Sequence, residues 1–185
     1  MNYGKAPKTL MLILLICIVP SCKEDPPVDN TCWDGQLPCA TTEGKNIFGC
    51  YIDGQPFVAD VDFTVGGPIA VDGNFNEDTK WLSVQGTYED PDDNLESIYL
   101  YAYILNGIGS YFVDITGTEQ HGYIDFSGQK CNYYHDPDNP GTVNISFLDT
   151  EENIISGTFG LILKNSACTS DTLMQITDGR FDILY

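Results

Sequence analysis

The sequence is poor in basic side chains and in histidine. It contains eight lysines and arginines against 27 aspartates and glutamates, and its only histidines are His121 and His135. Nucleic acids are bound by positively charged surfaces, so we expect no nucleic-acid partner. Serine and cysteine nucleophiles need a base within hydrogen-bond reach, and no hydrolase, metalloprotease or phosphate-binding motif occurs. We therefore predict that the protein is not an enzyme.

An apolar run long enough to cross a membrane is also missing. The longest, Leu10–Val19, has about ten residues, whereas a spanning helix needs about 20. Lys5 and Lys8 precede this run, which gives residues 1–21 the layout of a signal peptide.

The residues that end this segment, Val19-Pro20-Ser21-Cys22, resemble a bacterial lipobox. That resemblance implies that residues 1–21 are removed and that Cys22 is acylated, which holds the protein on the membrane by a lipid anchor. Cys17 is the rival thiol, but bulky Ile16 precedes it. The alternative is a secretory signal peptide with Cys22 in a disulfide.

The next three residues, Lys23-Glu24-Asp25, resemble the signal that directs lipoproteins of the Bacteroidota to the outer face of the outer membrane. We therefore predict a lipid-anchored, surface-exposed protein. A periplasm-facing anchor is the alternative.

The remaining cysteines are Cys32, Cys39, Cys50, Cys131 and Cys168. The predicted compartment permits disulfides, and we pair Cys32 with Cys39 and Cys131 with Cys168. Cys50 lies in an apolar strand and is expected to be a buried free thiol.

The chain after Cys22 divides by composition into a tether and one domain. Residues 22–45 are polar and rich in turn formers, which predicts a flexible tether. From residue 46 to 185, short runs of β-branched and aromatic residues alternate with turn clusters. We predict a single all-β domain, an antiparallel β-sandwich or barrel-like meander of about nine strands. The predicted strands are 47–53, 56–65, 81–88, 97–105, 111–115, 122–127, 142–148, 154–164 and 173–185.

Two turn signals stand out within these strands. Asp53-Gly54 reads as a two-residue hairpin turn, because glycine accepts a positive φ. Asp178-Gly179 interrupts the last strand and predicts a bulge or a kink.

Both ends of the domain resemble a family of Bacteroidota lipoproteins of unknown function. Phe48–Phe57 matches an FGCxx(N/D)GxxF opening, and Ser156–Phe159 followed by Ile176–Asp182 matches an SGTF…ITxGRFD closing pair. The resemblance implies an all-β lipoprotein and supplies no catalytic residues. Arg180 in this motif is expected to pair with an acidic neighbour.

Calcium is the metal that the sequence favours. Glu89, Asp90, Asp92 and Asp93 place four carboxylates in one loop, and Ca²⁺ takes oxygen ligands from such loops. The alternative is a solvated turn without metal.

Three tyrosines at period two, Tyr99, Tyr101 and Tyr103, predict an aromatic row on one face of a strand. Ile98, Leu100, Ala102 and Ile104 then face the core. If exposed, the row is a platform for a glycan or a protein partner. The alternative is a row covered by other residues.

The leading hypothesis is a lipid-anchored protein with a non-enzymatic binding or structural role. The alternatives are a hydrolase of extracellular polymers that uses paired carboxylates and a structural subunit of a surface assembly. Binding predicts a shallow tyrosine-lined surface. Hydrolysis requires a cleft with two carboxylates about 5–10 Å apart, one of them in an apolar pocket.

Overall fold

The described residues form an all-β fold. The structure, a computed structural model, describes residues 33–62, 67–92, 94–104, 106–113, 123–126, 133–136, 138–139, 141–165 and 173–185. They form thirteen strands and no helix, which confirms the predicted fold class with more strands than the nine expected. No helix able to span a membrane occurs in this part of the chain. The chain divides after Asn30 into two units, and every described residue lies in the second, Thr31–Tyr185.

The strands follow in chain order. They are β1 (Trp33–Asp34), β2 (Leu37–Pro38), β3 (Ile47–Ile52), β4 (Gln55–Val58), β5 (Val71–Asn76), β6 (Trp81–Glu89), β7 (Leu95–Tyr103), β8 (Gly109–Val113), β9 (Tyr123–Phe126), β10 (Tyr133–His135), β11 (Gly141–Asp149), β12 (Ile154–Asn165) and β13 (Leu173–Leu184).

Eleven of these strands form one antiparallel sheet in the order β4-β3-β13-β12-β10-β9-β7-β6-β5, and β11 joins β12 to β8. The sheet branches at β12. Residues 154–160 of β12 pair with β11, and residues 163–165 pair with β10. Across the core, β5 contacts β13, and β6 contacts β3 and β4.

Glycines mark where the two layers touch. A Cβ added at Gly86 of β6 would lie 2.2 Å from the ring of Phe48 on β3, and one added at Gly73 of β5 would lie 2.2 Å from Ile183 on β13. Side chains of two strands pack into the space that these glycines leave open. The described residues therefore form a β-sandwich. Its core lies between a layer that contains β5, β6 and β7 and a layer that contains β3 and β13.

Strand β7 alternates between core and surface as predicted. Ile98, Leu100 and Ala102 are buried, and so is Ile104 just beyond the strand. The tyrosines between them are half-buried or exposed.

Both predicted turn features are confirmed. Asp53 and Gly54 have φ of 48° and 80° and join β3 to β4 with Ile52 opposite Gln55. Asp178 has φ of 51°, and the β13–β3 register shifts between Thr177 and Arg180. The bulge lets the long strand β13 bend with its layer.

The part of the predicted tether that the structure describes, residues 33–45, is folded onto the domain. It begins with the β1–β2 hairpin, and Leu37 of β2 is fully buried. Arg180 donates from Nη1 to the carbonyl oxygen of Pro38 at 3.1 Å and lies 3.7 Å from the Asp34 carboxylate, the acidic neighbour expected for it. The predicted boundary at residue 46 is therefore too late. The polar composition of this segment suggested that it is solvated. In the structure its polar groups form hydrogen bonds with the domain instead of with water.

Asp182 is the main acceptor for this segment. Its carboxylate is fully buried and accepts hydrogen bonds from the Thr41 hydroxyl at 2.6 Å and from Ser156 Oγ at 2.7 Å. It also accepts from the backbone N–H groups of residues 43, 44 and 45 at 3.0, 3.0 and 3.1 Å. Burial raises the pKa of Asp182, but these hydrogen bonds outweigh burial and leave the pKa below its ordinary value.

We expect Asp182→Asn to lower the free energy of unfolding by about 2–4 kcal/mol, because hydrogen bonds to a charged acceptor contribute about 1.5–3 kcal/mol and stranded buried donors cost about 1–3 kcal/mol. Urea denaturation followed by circular dichroism measures the change. The matched control is Asp178→Asn, an exposed position on the same strand, which should change stability by about 0.5 kcal/mol or less. Equal effects of the two substitutions would contradict the assignment.

The same site predicts a pH dependence. The pKa of Asp182 is lower in the folded chain than in the unfolded chain, so its stabilising contribution is complete above the unfolded pKa of about 3.9 and is lost as the pH falls through the folded pKa. The stability difference between the wild type and Asp182→Asn should shrink as the pH is lowered below about 4. A difference that stays constant down to about pH 2 would contradict it.

Candidate functional site

The predicted tyrosine row lies beside a tryptophan on the neighbouring strand. In the β6–β7 register, Trp81 is opposite Tyr103, Ser83 is opposite Tyr101 and Gln85 is opposite Tyr99. Residues directly opposite each other project from the same face of a sheet. We call Trp81, Tyr99, Tyr101 and Tyr103 the aromatic face.

Trp81 contacts the rings of Tyr101 and Tyr103. Trp81 stacks on Tyr101 with ring centroids 5.7 Å apart and an interplanar angle of 26°. Its contact with Tyr103 is edge-on, at 4.9 Å and 73°. Tyr103 is 47% exposed, and Trp81, Tyr99 and Tyr101 are half-buried. Mutual packing holds these rings in place while part of each stays accessible to solvent.

Polar side chains border the aromatic face. Asn76 is opposite Trp81, Asn74 opposite Ser83 and Asp72 opposite Gln85 in the β5–β6 register, and all three residues of β5 are exposed. Burial raises the pKa of the Tyr101 hydroxyl, with a further contribution from Tyr99. The Tyr101 hydroxyl therefore stays protonated at neutral pH and able to donate a hydrogen bond.

Trp81 was not predicted as part of this surface. Period-two spacing identified the tyrosines within one strand, but the position of Trp81 depends on the pairing of β6 with β7. The row continues by register beyond β7, because Tyr99 is opposite Tyr123 of β9 and Tyr123 is opposite Tyr134 of β10. Strands β9 and β10 thus each add one tyrosine position to the row.

A second feature is a cleft of about 750 Å³ beside the β3–β4 hairpin. Its polar lining consists of Gln36, Asp53, Gln55, Asp60 and Glu96, and its apolar lining includes Phe57, Val58 and Tyr88. We call this the acidic cleft. No lysine, arginine or histidine is among the described residues that line it.

Strand pairing positions two of the cleft's carboxylates on either side of Tyr88. Asp60 forms a parallel bridge with Tyr88, and Tyr88 is opposite Glu96. Two hydrogen bonds fix the backbone of Asp60. Its N–H donates to the Thr87 carbonyl at 2.9 Å, and its carbonyl accepts from the Glu89 N–H at 2.9 Å. Asp60, Tyr88 and Glu96 therefore stand side by side.

Glu96 occupies a core-side position of β7, in phase with buried Ile98 and Leu100. Burial raises the pKa of its carboxyl, and the negative charge of Asp90 raises it further. A glutamate at a position where alternation predicts an apolar residue is a sequence signal that was missed.

Two carboxylates of the predicted calcium loop accept hydrogen bonds from the protein. Asp90 Oδ1 accepts from the backbone N–H of Asp92 at 2.8 Å and of Asn94 at 2.9 Å, and hydrogen bonds from Asn94 lower the pKa of Asp90. Glu89 accepts from the Asp62 N–H at 3.1 Å. Asp93 lies outside the described residues. Among those described, no group of three or more His, Cys, Asp or Glu side chains is arranged to hold a metal ion, so calcium binding stays a prediction.

The described cysteines are Cys39 and Cys50. Cys39 is disulfide-bonded, and its partner lies outside the described residues. The pairing with Cys32 therefore stays a prediction, as does Cys131–Cys168, and the lipidation site Cys22 lies outside the described residues too. Cys50 is free and buried, as expected, and burial raises its thiol pKa to about 12.

The described residues thus define a β-sandwich domain with an aromatic face and an acidic cleft. No protein-family model, curated protein or solved structure matches the chain.

Proposed function

We propose that the chain is a lipid-anchored, non-enzymatic binding protein of the outer membrane that recognises glycans through its aromatic face. The observation behind this proposal is the contact of Trp81 with Tyr101 and Tyr103 on a solvent-accessible sheet face. A structural role in a surface assembly, or recognition of a protein component, is the alternative within the same class.

The chemistry of the aromatic face suits a sugar ring. One side of many pyranose rings is apolar, and it packs on a flat aromatic surface, while the ring hydroxyls need hydrogen-bond partners at the border. Tyrosine and tryptophan combine an apolar ring with a polar group. Asn74, Asn76 and Ser83 supply amide and hydroxyl groups next to the rings, so both requirements are met within one patch.

The charge of the chain agrees with a neutral ligand for this face. A net charge of −19 repels nucleic acids and anionic lipid surfaces. Membrane attachment is then supplied by the acyl chains on Cys22, and Lys23-Glu24-Asp25 directs the protein to the cell surface.

We expect Trp81→Ala to weaken glycan binding by about tenfold or more, because it removes a stacking ring and loosens the two tyrosines packed against it. Glycans are first selected by array screening of residues 23–185. Affinities of the selected glycans are then measured by isothermal titration calorimetry, and Tyr101→Ala should weaken binding similarly.

The matched control is Phe112→Ala, which removes a 71% exposed aromatic ring from β8, outside the aromatic face. Its affinity should equal that of the wild type, and Trp81→Phe should retain part of the binding. Unchanged affinity in Trp81→Ala and Tyr101→Ala would exclude the aromatic face as the site. Absence of any glycan binding would favour the structural role.

Anchoring is tested separately. In a Bacteroidota expression host we expect Cys22→Ala to abolish incorporation of labelled fatty acid and to release the protein from the membrane fraction, because the acylated thiol is lost. Cys17→Ala is the control and should leave acylation unchanged. Protease treatment of intact cells should degrade the wild-type protein, and full protection would place the anchor in the periplasm-facing leaflet. Loss of acylation in Cys17→Ala alone would identify Cys17 as the lipidation site.

The second candidate function is hydrolysis of a glycosidic bond in the acidic cleft. It is favoured by Glu96, because a general acid needs a carboxyl with a raised pKa in a partly apolar site. Asp60 would be the second carboxylate. Since neighbouring strands are about 4.8 Å apart, the Cα atoms of Asp60 and Glu96 are about 10 Å apart, on the two sides of Tyr88.

We expect the wild-type chain and Glu96→Gln alike to release no reducing ends above background from the polysaccharides selected by the array. Chromatography of the products measures release. Cleavage by the wild type that falls by about a hundredfold or more in Glu96→Gln, and persists in the control Glu151→Gln at an exposed position of the turn between β11 and β12, would replace the binding proposal by the hydrolase.

A further inference from the structure

The acidic cleft lies apart from the proposed glycan site, since none of the four residues of the aromatic face lines it. We propose that it binds a small organic cation, an ammonium group attached to an apolar body. This proposal is independent of what the aromatic face recognises.

The first argument is charge. Asp53, Asp60 and Glu96 line one cavity without a basic residue among its described lining. The two ion pairs of the described residues lie elsewhere, between Lys45 and Glu43 and between Arg180 and Asp34. A cleft lined by carboxylates, with no basic residue in its described lining, has a negative electrostatic potential that attracts a cation.

The second argument is that the backbone positions two of the acidic residues. Asp53 Oδ1 accepts from the Gln175 N–H at 2.8 Å, and the Asp53 N–H donates to the Gln175 carbonyl at 2.8 Å. Asp60 is fixed by backbone bonds to β6. Both residues are therefore positioned by the backbone, and their arrangement does not depend on a cation of the protein itself.

The third argument is the apolar floor. Phe57 is buried, and its ring meets that of Tyr88 at 6.3 Å and 66°. Tyr88 is half-buried and lies between Asp60 and Glu96. An ammonium group near these carboxylates is within reach of the Tyr88 ring for a cation–π contact, and an alkyl or aryl body packs on Phe57 and Val58.

Size favours an organic ion over a metal ion. A cavity of about 750 Å³ lies within the range of sites for small organic ligands. Metal ions need ligands converging on one point about 2–2.6 Å away, and the described residues contain no such group of three.

The test uses the full chain in detergent with three probes that share one body: 2-phenylethylammonium, neutral 2-phenylethanol and anionic phenylacetate. Binding is followed by ¹⁵N-resolved chemical-shift titration. We expect the ammonium probe to saturate at millimolar concentration or below, with shifts around Tyr88 and Glu96. The neutral probe should bind about tenfold more weakly and the anion not at all.

Two variants remove charge from the cleft. Glu96→Gln and Asp53→Asn should each weaken ammonium binding by about fivefold. Asparagine at position 53 keeps the turn, because it tolerates the φ of 48°. The matched control Asp72→Asn removes the same charge from an exposed position of β5 and should leave affinity unchanged.

Three outcomes would overturn the proposal. They are no saturable shift with the ammonium probe at about 10 mM, equal affinity for the neutral probe, and equal effects of Asp72→Asn and the cleft variants. Trp81→Ala should bind the ammonium probe like the wild type. Failure of the cation-site proposal can therefore be distinguished from failure of the glycan-binding proposal.

Discussion

The burial of an ionised carboxylate at Asp182 constrains the fold more than any other single interaction. A charge taken out of water is stabilised only when its oxygens are fully hydrogen-bonded, and Asp182 forms no ion pair with a described cation. Its donors are two hydroxyls and three consecutive backbone N–H groups. The three N–H groups belong to residues 43–45, so this segment must lie across β13. The preceding β1–β2 hairpin is thereby held close to the domain, and its Gln36 reaches the acidic cleft.

The closing segments Ser156–Phe159 and Ile176–Asp182 lie at this same centre. In the β12–β13 register, Ser156 is opposite Asp182 and Phe159 is opposite Gly179. A Cβ at Gly179 would lie 2.5 Å from the Phe159 ring, and one at Gly157 would lie 2.5 Å from the carbonyl of Asn144. These motif positions are fixed by close packing and by the buried carboxylate. The closing segments therefore specify a scaffold, whereas the opening segment, Phe48–Phe57, includes Asp53, Gln55 and Phe57 of the acidic cleft.

Local periodicity was enough to predict the core face of β7, the tyrosine row and both turns at aspartate-glycine pairs, because each depends on neighbouring residues in one strand. Strand β5 was missed because its sequence, Val71–Asn76, contains glycine, aspartate and two asparagines, which are turn formers. Its strand conformation comes from pairing with β6. Trp81 and the acidic cleft were missed for the same reason. They are assembled by pairing between segments distant in sequence, which no spacing within one strand reports.

One strand pair supports both proposed sites, at opposite ends and on opposite faces. Trp81 and Tyr103 are paired at one end of β6–β7, and Tyr88 and Glu96 are paired near the other. Alternation places the aromatic rings on the outer face, while Tyr88 and Glu96 are in phase with the core. Tyr101 and Glu96 are five positions apart, about 17 Å along the strand. The cleft opens where the core between the layers ends, and there a partly buried carboxyl replaces the apolar side chain that the alternation requires.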